Sequence, residues 1–334
     1  MSRRRLTRQQ KARIAAIRER RLSQAQKTGD EEIPQDTDES PHHGTVVIRH
    51  GRSLVVADRD RSLVNCQFRQ NLGEIVCGDS VVWHRAGDQG GVVTAVRERT
   101  SLLSRPDYGG HGKPIAANLT QLLIVAAPSP PPTGYLLDQY LVAAEHFGLK
   151  AILLLNKADL LGNEHDALLR RFDTYKDIGY CVLRLSTKQH TGEEALREHL
   201  KGESSILVGQ SGVGKSSLVN MLLPDLEIQT GALSGTSGLG KHTTSSATLY
   251  FLPQGGTLID SPGVRSFRLL VSDRAQLEEG FREFAPFLGH CQFNDCRHEM
   301  EPGCALTEAV ESGKIADWRL NHFRLMAQAL GKTR

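Results

Sequence analysis

The rhythm of hydrophobic and polar positions changes three times along this chain. Residues 1–41 carry few apolar side chains and show no period, which predicts a segment that is disordered or at most transiently helical. From Gly44 to about Leu103, short apolar runs recur: Thr45–Ile48, Ser53–Val56, Ser62–Val64, Ser80–Trp83 and Gly91–Val96. Gly51, Gly73, Gly78 and Gly87 lie between or beside them. Five short strands in about 60 residues predict a small closed β-barrel, best matched by the OB type. An SH3-like barrel serving as a spacer is the alternative.

After a Gly/Pro-rich connector (104–118) the texture becomes α/β. Gln121–Ala127, Ala151–Leu155, Cys181–Leu185 and Ile206–Val208 are apolar runs of the kind that form strands buried on both faces. Between them, 136–147, 164–177 and 193–200 have helical spacing, with Gly148 a C-cap candidate. Two more strands are expected at 247–252 and 256–259. This alternation predicts a mostly parallel sheet with flanking helices. From Ser272 the chain reads as helical, interrupted by a Cys/His cluster. The expected division is an arm (1–41), a barrel (42–105), a nucleotide domain (106–271) and a helical zinc-binding domain (272–334).

The candidate chemistry lies at the strand ends. Gly209–Ser216 reads G-x-x-x-x-G-K-S between a buried strand and a helical pattern, the context of a phosphate loop. Glycines there let backbone N–H groups curl round an anion, and the helix N-terminus adds unpaired donors. Lys215 would reach the β- and γ-phosphates and Ser216 would hold Mg²⁺. Asn156-Lys157-Ala158-Asp159 fits N-K-x-D. The Asp159 carboxylate can accept two hydrogen bonds from guanine, a pair adenine does not offer. Asn156 would serve the other edge of the base and Lys157 would lay its stem on the ring. Asp260-Ser261-Pro262-Gly263 matches D-x-x-G, in which Asp260 assists Mg²⁺ and the Gly263 N–H senses the γ-phosphate. Thr243 or Thr244, with Thr244 preferred, completes the magnesium shell. Val264 follows Gly263 and cannot orient a water, so slow intrinsic hydrolysis is expected; His242 is the candidate for that role. N-K-A-D precedes the phosphate loop, the reverse of the ordinary order, which a circular permutation explains. An ATPase with a fortuitous N-K-A-D is the alternative.

Cys291, Cys296, His298 and Cys304 are spaced C-x4-C-x-H-x5-C, a closed ligand set for one structural Zn²⁺. His290 is a competing nitrogen ligand, and free thiols or a disulfide are the alternatives. Cys66, Cys77 and Cys181 read as core residues. Arg297, Lys314, Arg319 and Arg324 lie near the cluster in sequence and suit RNA docking, or the cluster is only a staple.

Net charge is +3, so overall charge says little about partners. Its distribution says more: Arg3, Arg4, Arg5, Arg8, Lys11 and Arg13 open a basic block that an acidic block (Asp30–Glu39) follows. A basic arm of this kind is a candidate nucleic-acid contact, and residues 6–22 would form a basic helix against an anionic partner. No run is long and apolar enough for a transmembrane helix, so no membrane association is expected. A cytoplasmic location is expected, since the cysteines suit a reducing compartment.

The order barrel, N-K-A-D, G-Q-S-G-V-G-K-S, G-L-G-K-H-T-T, D-S-P-G and C-x4-C-x-H-x5-C resembles the RsgA family of circularly permuted GTPases, from about residue 44 to about 325. The resemblance implies an OB-fold domain, a permuted GTPase domain and a zinc domain. It implies GTP hydrolysis to GDP and phosphate stimulated by the small ribosomal subunit, contact with its rRNA, and release after hydrolysis. It carries phosphate binding onto Gly209, Gln210, Ser211, Gly212, Val213, Gly214, Lys215, Ser216 and Ser217, and a catalytic role onto His242, with Lys215 and Thr244 assisting. The guanine-loop segment is Ser186-Thr187 where the family has Ser-Ala; the Thr187 backbone N–H is still available. A monomer is expected. A non-enzymatic RNA-binding protein with a structural nucleotide site is the rival reading.

Overall fold

The computed structural model describes residues 40–86, 90–106, 112–132, 135–225, 229, 233, 247–261, 271 and 273–331. These divide into two compact units. One is drawn from Met1–Leu102, Pro114–Asn118 and Asp225–Tyr250, the other from Leu103–Lys113, Leu119–Pro224 and Phe251–Arg334.

In the first unit, β1 (His42–His50), β2 (Ser53–Asp58), β3 (Leu63–Phe68), β4 (Ser80–Ala86) and β5 (Gly90–Val96) close into a barrel. β1 pairs with both β2 and β4, β4 with β5, and β5 with β3, so the ring has no free edge. The β3–β5 pair is parallel, which a simple run of hairpins would not produce; this is the Greek-key order of the OB type. Val46, Leu54, Val56, Cys66, Ile75, Val81, Trp83 and Val93 fill the interior. Cys66 and Cys77 are buried, as the sequence predicts, and burial pushes the Cys66 thiol up to about 12.

Two strands follow, β6 (Leu102–Pro106) and β7 (Gly112–Ala117), and then the second unit unfolds as β8 (Gln121–Ala126), α1 (Leu136–Phe147), β9 (Lys150–Leu155), α2 (Asp166–Asp177), β10 (Cys181–Arg184), α3 (Glu193–Leu200), β11 (Ser204–Val208) and α4 (Lys215–Leu222). After β12 (Thr248–Phe251), which falls mostly in the first unit, the second unit continues with β13 (Thr257–Asp260), α5 (Arg274–Glu279), α6 (Ala305–Glu311) and α7 (Asp317–Gly331). The strands stand in the order β10-β9-β8-β11-β13, every neighbour parallel. All six residues of β8 are buried, as expected of a strand covered on both faces. Gly148 ends α1 in the left-handed conformation and bonds back to Ala144 and Glu145, so the predicted C-cap is present. Among the described residues, no helix is long and apolar enough to cross a membrane.

The C-terminal helices pack on α1 round Leu277, Phe281, Phe284, Leu306, Leu320 and Phe323. At the centre is a charge cluster. Arg319 is fully buried; it donates to Asp138 at 2.6 Å and in a fork to Glu283 at 2.5 and 3.0 Å. Tyr175 donates to Asp138 at 2.5 Å and His322 touches its other oxygen. Arg319, expected from its place in the sequence to be a docking residue, instead has its guanidinium in the interior, between acids and 4.3 Å from the Phe281 ring centre. Burial would raise the Asp138 pKa, yet Arg319, His322 and Tyr175 together hold it below the ordinary carboxylate range. A depressed carboxyl contributes stability above its unfolded pKa and loses it as pH falls through the folded value. Arg319→Met takes the guanidinium away from two buried carboxylates, leaving Asp138 with only Tyr175 and His322, and should cost about 3–5 kcal/mol, measured by urea denaturation at neutral pH.

Candidate functional site

In a parallel sheet the C-terminal ends of all strands share one edge, where ligands of open α/β sheets bind. Here that edge gathers the phosphate loop after β11, Asn156–Asp159 after β9, Ser186 after β10 and Asp260 at the end of β13.

The phosphate loop needs its glycines at two places. Gly209 has φ 141°, and a Cβ there would lie 2.3 Å from the Val125 carbonyl oxygen of β8. Gly214 has φ 98°, caps α4, and a Cβ would meet Asn156 Nδ2 at 2.3 Å. Lys215 opens α4 and folds back over the loop, donating to the Gly209 carbonyl at 2.7 Å and to the Gln210 carbonyl. Val213 is buried, whereas Ser211, Gly212, Ser216 and Ser217 are exposed along the loop and the first turn of α4.

The base-reading side is tied to the phosphate side through one amide. Asn156 is fully buried; its backbone N–H bonds to Ala126 at 2.8 Å and its Nδ2 donates to the Val213 carbonyl at 2.9 Å. Its Oδ1 accepts the Thr187 backbone N–H at 3.4 Å. Lys157 takes the left-handed conformation (φ 58°) and its ammonium donates to the Ser129 carbonyl at 2.7 Å. Asp159 accepts the Ser186 hydroxyl at 2.5 Å, and Ser186 is itself buried and held by a backbone pair with Thr191. A carboxylate has about four acceptor positions, so this bond fixes its direction and leaves capacity for two ring donors. His242, Thr243, Thr244 and Gly263 lie outside the described residues, as does the 1–39 arm. Ser216 and Asp260 supply hard oxygens of the type magnesium prefers.

A second cluster lies among the C-terminal helices. The ligand atoms of Cys291, Cys296, His298 and Cys304 fall within 4.8 Å of one another, and His290 is not among them. His298 Nδ1 stands 3.5, 3.6 and 3.5 Å from the sulfurs of Cys291, Cys296 and Cys304. A tetrahedral zinc with ordinary bond lengths has an N···S edge of about 3.5 Å, so the four donors fit the ion. His298 Nε2 faces Glu278 at 3.5 Å, the carboxylate partner that orients a metal-bound imidazole. Arg324 donates to the His298 carbonyl at 2.7 Å, and Glu301 accepts three backbone N–H groups of the knuckle, from Arg297, Glu299 and Met300. Arg324 therefore braces the loop, a role its place in the sequence does not show.

The sequence marks residues 128–133 as a turn, but nothing in it shows where that turn lies. It runs beside the phosphate loop, with Pro130 Cδ 3.4 Å from where a Cβ of Gly212 would sit. Its proline run was a signal for a rigid wall rather than a plain connector.

Phosphate loop, guanine-reading motif and reversed chain order together define a circularly permuted GTPase. A family model described as RsgA GTPase matches residues 96–270. The chain is 47% identical over 342 residues to the small ribosomal subunit biogenesis GTPase RsgA of Azotobacter vinelandii, covering 99% of this chain and 98% of that one. To the protein of the same name from Pseudomonas aeruginosa LESB58 it is 44% identical, covering 100% and 99%. Among solved structures, YjeQ from Thermotoga maritima superposes with a TM-score of 0.72 at 31% identity, covering 88% of this chain and all of that one. YloQ, described as a circularly permuted GTPase, gives 0.69 at 25% identity, covering 91% and 99%. The chain belongs to the RsgA family of small ribosomal subunit biogenesis GTPases, and is a GTP hydrolase.

Proposed function

We propose that this GTPase is a late small-subunit assembly factor whose GTP hydrolysis is stimulated by the small ribosomal subunit, which binds its rRNA, and which leaves after hydrolysis. The observation that carries the reading is the single sheet edge bearing Asn156, Asp159, Ser186, Lys215 and Asp260, on a chain whose relatives are named for small-subunit biogenesis. Asp159 selects guanine, Lys215 neutralises the phosphates, and Ser216, Asp260 and Thr244 hold Mg²⁺, which supplies charge neutralisation on the transferred phosphoryl group. His242 positions the attacking water and Gly263 senses the γ-phosphate. The Cys₃His cluster holds one structural zinc. The factor acts as a cytoplasmic monomer.

Steady-state GTP turnover with small subunits, large subunits or neither tests this reading. Stimulation by small subunits alone is expected; equal rates in all three would overturn it.

The barrel supports contact with a phosphate backbone rather than with bases. Arg52, Arg59, Arg61 and Arg85 are exposed, whereas Trp83 is fully buried and unable to stack on a base. Arg52→Ala with Arg59→Ala should weaken small-subunit binding and flatten its dependence on log salt by about 1 unit per residue. Titrations at several salt concentrations would read it, and an unchanged slope would place the contact elsewhere.

A further inference from the structure

Residues 127–132 and α1 touch the nucleotide site on one side and the C-terminal region on the other, and none of the motifs above includes them. At the nucleotide side, the Ser129 carbonyl holds the Lys157 ammonium at 2.7 Å and Pro130 flanks Gly212. Further along, Tyr140 of α1 is fully buried with its hydroxyl against the backbone of Gly209. Gly209 runs close along β8: a Cβ there would lie 2.3 Å from the Val125 carbonyl oxygen.

The opposite face of α1 is gripped by the C-terminal region. Side chains two positions apart on a helix point to nearly opposite sides, so Asp138 faces away from Tyr140. It meets Arg319 and His322 of α7. One turn on, Val142 lies so close to Gly280 that a Cβ there would be 2.5 Å from Val142 Cγ1. Near the end of the helix, Glu145 takes Arg282 at 2.6 Å. Leu137, Asp138 and Tyr140–Ala144 are all buried. A helix buried on the two faces that meet the site and the C-terminal region moves as a rigid body, because close-packed interiors transmit displacement instead of absorbing it. A buried ion cluster adds little stability over an apolar one, and its best-attested use is fixing register. The register fixed here is that of α7 on α1.

We infer that residues 127–132 and α1 form a lever through which the zinc-bearing C-terminal region sets the rate of guanine nucleotide release. A shift of α7 moves Asp138 and with it α1, and the movement arrives at Gly209 through Tyr140 and at Lys157 through Ser129. Tyr140 and His322 are positioning residues; neither touches nucleotide. The inference rests on guanine nucleotide binding at this site and goes beyond stimulation by the small subunit.

The test is GDP dissociation from the isolated full-length protein, followed with a fluorescent GDP analogue chased by excess GDP. Tyr140→Phe removes one hydroxyl; His322→Ala releases one grip on Asp138. Each should speed release by about 3- to 10-fold. Combined, they should give clearly less than the product of the two, because both act along one path. Wild-type release from His322→Ala, or rates that multiply in the double variant, would overturn the inference. So would a lowered melting temperature with release unchanged. Should His322→Ala lose zinc or fold poorly, Glu145→Gln at the rim of the same contact carries the test with the same two outcomes. Absence of small-subunit stimulation in the wild type would defeat the proposed function and leave this result standing, since no subunit is present.

Discussion

Asp159→Asn is expected to lower GTP affinity by about 10²- to 10⁴-fold, two charge-assisted hydrogen bonds being worth about 1.5–3 kcal/mol each. The same change should turn the preference toward xanthosine triphosphate. Guanine presents a ring N–H and an exocyclic amine, both donors, and the carboxylate accepts both. An amide accepts only through its oxygen, and its NH₂ then confronts the guanine amine as donor against donor. Xanthine has a carbonyl at that position, so the amide of Asn would pair with it. The Ser186 hydroxyl, 2.5 Å from Asp159, would hold the new side chain in the same direction, because it can bond an amide oxygen as well as a carboxylate. Competition binding with GTP, XTP and ATP reads the result. Unchanged GTP affinity would remove Asp159 from base recognition.

Cys304→Ala should abolish zinc binding and lower the melting temperature by about 10 °C or more, the equivalent of several kcal/mol for a unit of this size. Cys304 is buried at the start of α6 and belongs to the apolar cluster that carries Phe281, Phe284 and Phe323. Without the ion, nothing would tie the half-buried Cys291 and Cys296 to His298 and to α6. Elemental analysis should find one zinc per wild-type chain and none in the variant. Wild-type protein treated with a strong chelator should melt like the variant. Retention of zinc and melting temperature by Cys304→Ala would reduce the cluster to ordinary buried thiols.

Most of the site was legible because its chemistry is local in sequence. A strand, a glycine turn and a helix start fall within residues 204–220, and N-K-A-D follows directly on a strand of unbroken apolar residues. Spacing alone brought three cysteines and a histidine together, and the fold left His290 out because its ring lies on the exposed side of the chain. Non-local pairings were not legible. Arg319 sits in line with Phe323 and Met326 on one face of α7, a position that sequence periodicity marks as interior. Its charge outweighed that pattern in the reading, because the acids that satisfy it, Asp138 and Glu283, come from distant segments. The proline turn itself was legible, but its place beside Gly212 was not, for the same reason: nothing in residues 128–132 shows that the phosphate loop will fold against them.

The strand order also sets a timetable for synthesis. The barrel strands occupy one continuous stretch, His42–Val96, and can close soon after that stretch leaves the ribosome. The nucleotide sheet cannot. β8 and β9 emerge early and pair with each other, but β8 must wait for β11, some 80 residues later, and β11 for β13. Pairings across such separations form slowly, because the connecting chain loses its freedom before the contacts compensate. A nascent chain therefore holds β8 and β9 paired while the phosphate loop that Asn156 will bond to, through Val213, has still to be made.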